Sequence, residues 1–225
     1  MNTLSNVNNS RGDDKPPGIG SAPDVTTETK SLEAGVSSQY ARKKGYEWYV
    51  LRVTYNRSSK AIEAFKNTHI QTYLPMHTAF RLKGEKKERT LEPLLNNIIF
   101  AYSTKEDIEE FMRRNPISKS CLRYFRDRLQ PKGQDDKHPP LTIRYDEMIN
   151  FIRITSVYNE HIKLIDMRQC LLKCKEKVII TEGAFKGIIG RVVRVCGQQR
   201  VMVHLEGVCA IATAYIPSAF MRVIK

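Results

Sequence analysis

From about residue 174 onward the chain is cut into short apolar runs by glycine. Val178-Ile179-Ile180, Gly190 to Val195, Arg200 to Leu205 and Ala214-Tyr215-Ile216 are spaced by Gly183, Gly187, Gly190, Gly197 and Gly207. Several short β-branched runs with regular turn signals in about fifty residues predict a small β-barrel, and their strand propensity argues against a helical ground state. Val201, Val203 and Leu205 alternate as in a half-buried strand, which points His204 outward into solvent. Within Thr181 to Val192, Gly183 and Gly187 permit the φ values of tight turns. Phe185 anchors the loop in the barrel, and Gly190 lets the next strand start against another backbone.

The other end of the chain contrasts with this. Residues 1–44 are rich in Asn, Ser, Thr, Gly and Pro, lack apolar periodicity, and read as a disordered tail. Residues 1–40 carry a net charge of −2, so the rest carries +15 of the overall +13. A basic folded part points to a polyanionic partner, nucleic acid being the commonest, or to a machine that holds one. No stretch approaches the 18 apolar residues of a membrane helix, and the first thirty residues have no signal-peptide core, so a cytoplasmic location without membrane attachment is expected. Five cysteines without tight spacing fit a reducing compartment.

Between these ends, elements follow quickly. Trp48 to Val53 reads as a strand starting at Glu47, and Asn56, Ser58 and Ser59 offer caps for a helix with Ala61, Ile62, Ala64 and Phe65 on its apolar stripe. Gln71 to Met76 reads as a second strand. A basic hairpin follows, with Arg81, Lys83, Lys86, Lys87 and Arg89 around a turn at Gly84. Leu94 to Tyr102 reads as a central strand. Ser103 and Glu106 have capping-box spacing for a second helix, which Pro116 ends; Cys121 to Phe125 reads as a short strand. Gln130 to Pro140 is a polar loop, and Tyr145, Met148, Ile149 and Ile152 predict a further helix. The order β-α-β-β-α-β-α predicts an α+β fold, a ferredoxin-like antiparallel sheet with helices, joined to the small barrel. The expected boundaries are 45–155 for the α+β domain, 156–173 for a linker and 174–225 for the barrel.

Enzymatic chemistry has no footing in these residues. There is no nucleophile elbow and no Walker or other glycine-rich phosphate loop. Cys170 and Cys174 lack a second ligand pair, so neither metal nor other cofactor is expected.

Two features carry a resemblance. The pattern Val-x-Ile-x-x-Gly-x-Phe-x-Gly-x-x-Gly-x-Val over Val178 to Val192, with Gly183, Phe185, Gly187 and Gly190, resembles the KOW motif. The part before it opens on Trp48-Tyr49-Val50, continues through a helix, Tyr73-Leu74-Pro75 and the basic hairpin, and reaches Leu-Leu-x-x-Ile-Ile-Phe. It resembles the NGN domain of NusG. With Asn150-Phe151-Ile152-Arg153 and the ending Ala212 to Pro217, the whole looks most like specialised NusG paralogues of the UpxY and RfaH type. The resemblance implies a monomeric transcription elongation or antitermination factor, acting on selected operons such as those for surface polysaccharides. It implies RNA polymerase clamp helices as the partner of an apolar concavity lined here by Tyr55, Leu94, Leu95, Ile98 and Phe151. Asn96-Asn97 stand where the family usually has Pro-Gly. It implies that Arg81, Lys83, Lys86, Lys87 and Arg89 face DNA or nascent RNA, and that the KOW unit meets ribosome or Rho. The alternative is an RNA-binding protein of the ribosome or of RNA metabolism, in which Trp48, Phe100 and Tyr102 would be the stacking aromatics of an RRM-like sheet.

Overall fold

The computed structural model describes residues 31–32, 36–54, 57–84, 86–156, 162–166 and 176–224. Two short strands, β1 (Ser31–Leu32) and β2 (Val36–Ser37), pair antiparallel, and a 3-10 turn (Ser38–Tyr40) follows. The α+β part then runs β3 (Glu47–Val53), α1 (Ser58–Phe65), β4 (Gln71–Tyr73), β5 (Met76–Lys83), β6 (Lys86–Pro93), β7 (Ile98–Ser103), α2 (Lys105–Arg114), α3 (Pro116–Cys121), β8 (Leu122–Tyr124), β9 (Thr142–Ile143) and α4 (Tyr145–Ser156). Its sheet has the order β4-β7-β3-β8, with β9 also on β3, and every pairing is antiparallel. β5 and β6 form a separate two-stranded ribbon.

Strand alternation sorts the sheet's side chains into two cores. Trp48, Val50, Phe100 and Tyr102 point to one face and Tyr49, Leu51, Val53, Ile99 and Ala101 to the other, all buried. Ala61 and Phe65 of α1 and Ile108 of α2 close the second face; Met148, Phe151 and Ile152 of α4 close the first, together with Val36 and Tyr40. The tail expected to be disordered through residue 44 thus contributes a core aromatic. The Tyr40 ring lies 5.2 Å from that of Trp48, and its hydroxyl donates to the Thr72 carbonyl at 2.8 Å.

The C-terminal part is an antiparallel sheet in the order β10-β14-β13-β12-β11-β15, built from β10 (Lys163–Ile165), β11 (Lys177–Ile180), β12 (Ile189–Val195), β13 (Gln198–Leu205), β14 (Cys209–Ala212) and β15 (Met221–Val223). Among the described residues its pairing is an open path, without closure of β10 on β15. Its inner residues Val178, Ile180, Val201, Val203, Leu205 and Ile211 join one continuous core with α4 and the first sheet.

Several expectations shift. Ala214 to Ile216 is not a strand; the preceding Cys209–Ala212 pairs with β13 instead, because Thr213 and the residues after it turn toward Gln199, to which Ile216 N–H donates. The central strand starts at Ile98 rather than Leu94, since Leu94 to Asn97 form the turn that enters it. His204 is partly covered and its Nε2 is buried, so it is not a solvated histidine. α1 begins after Arg57 without a side-chain cap, and Asn56 lies outside the described residues.

The cap of α2 sits one residue later than the capping box suggests. Thr104 Oγ1 accepts from Asp107 N at 3.2 Å, while Ser103 Oγ donates to the Asp107 carboxylate at 3.1 Å and His69 lies 3.0 Å from it. The Thr104 hydrogen bond, then those of His69 and Ser103, holds the Asp107 carboxyl below its ordinary range. That contribution is fully present above the ordinary aspartate range and is lost as pH falls below it through the lowered folded-state titration. Thr104→Ala is expected to lower stability by about 1 kcal/mol, measured by urea unfolding at neutral pH.

Candidate functional site

The turn Leu94 to Asn97 is held at both ends. Leu94 N–H donates to the Pro75 carbonyl at 2.8 Å and the Asn97 carbonyl accepts from Val53 N–H at 2.8 Å. Asn97 takes φ +61°, the left-handed region that asparagine tolerates better than most residues, so Asn97 serves where glycine would. Leu94 and Leu95 are buried, Ile98 is half-buried, and Phe151 is fully buried, 5.6 Å from the Phe100 ring and 6.5 Å from that of Tyr73. The structure brings Leu94, Leu95, Ile98 and Phe151 into one apolar cluster. Tyr55 lies outside the described residues.

The ribbon beside this turn spans eight cross-strand pairs, from Met76↔Pro93 to Lys83↔Lys86, with its turn at Gly84. Because alternate residues face opposite sides, the five bases do not share one face. Arg81 looks the same way as Glu88 and Glu92 and pairs with Glu92 through two hydrogen bonds, one Nη2–Oε2 at 3.0 Å. The guanidinium, then the Thr90 hydroxyl, brings the Glu92 carboxyl down to about 2. This pair is exposed and screened by solvent, and it loosens only as pH falls through the acid range toward that value. Lys87 and Arg89 lie on the other face with Phe80, Leu82 and Leu91, and Lys86 is exposed. The charge run marks the bases alone. The alternation Phe80-Arg81-Leu82 was the signal for an apolar face between them.

In the glycine-rich turn, Gly183 and Gly187 take φ of +80° and +84°. Phe185 is buried in the core, and Gly187 N–H donates to the Ile180 carbonyl at 2.7 Å, closing the turn back onto β11. Gly190 lies against the β13 backbone near Met202. This turn also meets α4. Asn150 Oδ1 accepts from Ile189 N–H at 3.1 Å, and Arg153 Nη1 donates to the Gly187 carbonyl at 3.2 Å. Asn150 and Arg153 therefore carry a contact between the two parts, while Phe151 between them serves the first sheet.

The stacking aromatics required by an RRM-like reading are not available. Trp48, Phe100 and Tyr102 are 0–1% exposed, and Trp48 stacks on Tyr102 at 4.9 Å inside the core. Among the described residues no cluster of three His, Cys, Asp or Glu could hold a metal; Cys170 and Cys174 lie outside them. No described helix is long and apolar enough to cross a membrane.

Residues 46–131 match the NusG family model, described as transcription termination factor nusG. The match covers β3 through β8 and the loop after it, including the turn at Leu94 and the whole ribbon. It supports a NusG-like factor of transcription elongation or antitermination; factors of that family are not enzymes, and they generally bind RNA polymerase. No curated protein matches the chain.

Proposed function

We propose that this chain is a transcription elongation or antitermination factor that binds RNA polymerase through residues 45–155 and carries a KOW-type, SH3-like unit at 174–225, with 156–173 connecting the two and lending that unit its edge strand β10. The observation that carries the reading is the NusG match over residues 46–131, on a sheet with helices on both faces. The polymerase clamp helices dock at the turn and edge formed by Leu94, Leu95 and Ile98, backed by Phe151; the resemblance adds Tyr55 to this set. Ile98 is the member of this set that a partner reaches directly, because it alone is half-buried among those described. The resemblance to UpxY-type paralogues supports action on selected operons such as those for surface polysaccharides, in the cytoplasm. It also supports ribosome or Rho as partner of the KOW-type unit.

Docking is tested at Ile98. Ile98→Asp should abolish co-elution with the organism's own RNA polymerase while the thermal transition is retained; retained co-elution of the folded variant contradicts the assignment. Leu95→Asp is the poorer probe, since an unpaired charge at a buried site unfolds the protein before it reports on docking.

In this reading the ribbon's bases Lys83, Lys86, Lys87 and Arg89, with Arg81 engaged by Glu92, lie near the nucleic acid of the elongation complex. Lysines without amide side chains beside them contact phosphate and read no sequence. Each contact gives a logarithmic salt slope of about −0.7 to −0.9, so two or three give a slope near about −2. Changing Lys83, Lys86 and Lys87 to Ala should flatten that slope and weaken binding equally on every template. Loss confined to one leader would instead make the ribbon a sequence reader.

A further inference from the structure

The β5–β6 ribbon leaves three large apolar side chains in solvent on a single face. Phe80 is 50% exposed, Leu82 72% and Leu91 52%. Register puts them together: Phe80 faces Arg89, Leu82 faces Lys87, and Leu91 faces Thr78. A two-stranded ribbon gains nothing for its own stability from apolar side chains held in water, and exposed apolar clusters rimmed by polar groups mark interaction sites. Among the described residues no third strand pairs with the ribbon.

The chemistry of the face narrows the occupant. Two of its three apolar side chains are aliphatic and offer no π surface to a base. The aromatic one has the Arg89 guanidinium 5.5 Å from its ring centroid, so that ring already has a cation against it. The residues beside the apolar centre are cationic, Lys87 and Arg89, while the ribbon's Glu92 is engaged by Arg81 on the opposite face. An apolar centre with a cationic rim complements an apolar protein surface edged by carboxylates. A second copy of this chain is a poor occupant, because each copy carries +13 and would meet a basic ribbon with a basic surface. The ribbon also springs from the docking turn, since Pro75 just before β5 accepts the Leu94 N–H.

We propose that the face formed by Phe80, Leu82 and Leu91 is a second docking surface for RNA polymerase, received by an apolar patch of that enzyme edged with Asp and Glu. The proposal rests on the polymerase-binding reading above and adds a contact that is not nucleic acid. It divides the ribbon by face: Lys83 and Lys86, on the side opposite the apolar cluster, are left to phosphate, whereas Lys87 and Arg89 rim the face that meets protein.

The test is Leu82→Ser/Leu91→Ser in the full chain, which removes apolar surface and keeps every charge. Both residues are exposed, so the thermal transition should not move. Affinity for purified RNA polymerase from the same organism should fall by about tenfold, with an unchanged salt slope, because no ionic contact is lost. The same protein should bind a single-stranded DNA oligonucleotide, and vesicles of anionic phospholipid, as the wild type does. Wild-type affinity of the variant for polymerase overturns the second surface while leaving the first docking site standing. A loss seen equally on DNA alone, or on vesicles alone, assigns the face to that ligand and overturns the proposal. Failure of the wild-type chain itself to bind polymerase overturns both readings.

Discussion

Gly190→Ala is expected to lower the stability of the C-terminal sheet by about 3 kcal/mol. A Cβ at this position would lie 2.4 Å from the Met202 carbonyl oxygen and 2.7 Å from Val201 Cγ1. The first of these is backbone of the terminal pair of the β12–β13 ladder, Arg191 with Met202, and Met202 also pairs with Ala212 of β14, so it cannot shift without disturbing both ladders. Gly197→Ala is the comparison. Nothing lies within 4 Å of a Cβ there, and only its φ of +76° resists substitution, a cost of about 1 kcal/mol. Urea unfolding of the two variants should therefore rank Gly190→Ala well below Gly197→Ala. Equal losses would mean that turn conformation, and not the close approach of two backbones, is what the glycine pattern records.

A chain beginning at Gly45 should be less stable than the full chain by about 4 kcal/mol. The deletion removes Tyr40, which is 6% exposed, and strips partners from groups that remain. Tyr145 hydroxyl donates to the Tyr40 carbonyl at 2.7 Å, and Tyr102 hydroxyl accepts from Lys43 N–H at 2.8 Å. Tyr40→Ala alone should cost about 3 kcal/mol, and deletion of residues 1–30 less than about 0.5. Thermal melts of the three proteins would separate these cases. Burial also raises the Tyr40 phenol above its ordinary range, as it does those of Tyr49 and Tyr124. Stability from these groups is complete below the ordinary phenol range and declines as pH rises beyond it, since the unfolded chain ionises first. If the Gly45 chain matches the full chain, Tyr40 is a passenger on the sheet and not part of its core.

Tyr40 is a core residue that its own stretch of sequence does not mark. Its neighbours are Ser37, Ser38, Gln39, Ala41 and Arg42, so no local pattern distinguishes it from the polar tail; its role follows from the rings of Trp48 on β3 and Tyr73 on β4, which the fold brings against it. Strands with strong internal patterns were legible: Glu47–Val53, Ile189–Val195 and Gln198–Leu205 form where β-branched and aromatic residues cluster. β10 and β15 are three residues long and exist through their pairing with β14 and β11, which three residues of sequence do not encode. The glycine turn was legible in detail because its constraints are local: a positive φ at Gly183 and Gly187 and a buried Phe185 between them. The cluster proposed for docking was legible as a set of apolar residues but not as to which are covered. Leu94, Leu95 and Phe151 lie inside, Ile98 at the margin, and no periodicity in Leu-Leu-Asn-Asn-Ile distinguishes the two. The ribbon's second face was hidden for a different reason. Charge along the sequence forms one run, whereas a strand divides it between two sides.

Asn150 and Arg153 give the two parts of the chain a shared element. α4 closes the first sheet through Met148 and Phe151 and meets the glycine turn through Asn150 and Arg153. Side chains on α4 thus link the surface proposed to meet polymerase with the unit proposed to meet ribosome or Rho. The Ile189 N–H and Gly187 carbonyl that they bond belong to the turn whose conformation Gly183 and Gly187 set.

The central claim is that residues 45–155 hold the chain on the clamp helices of RNA polymerase. The most direct measurement is the affinity of the full chain for purified polymerase from the same organism, compared with the same enzyme lacking the tips of its clamp helices. Tight binding to the intact enzyme and a loss of at least about 4 kcal/mol, roughly a thousandfold, on the truncated one is the predicted result. Equal affinity for the two enzymes would contradict it.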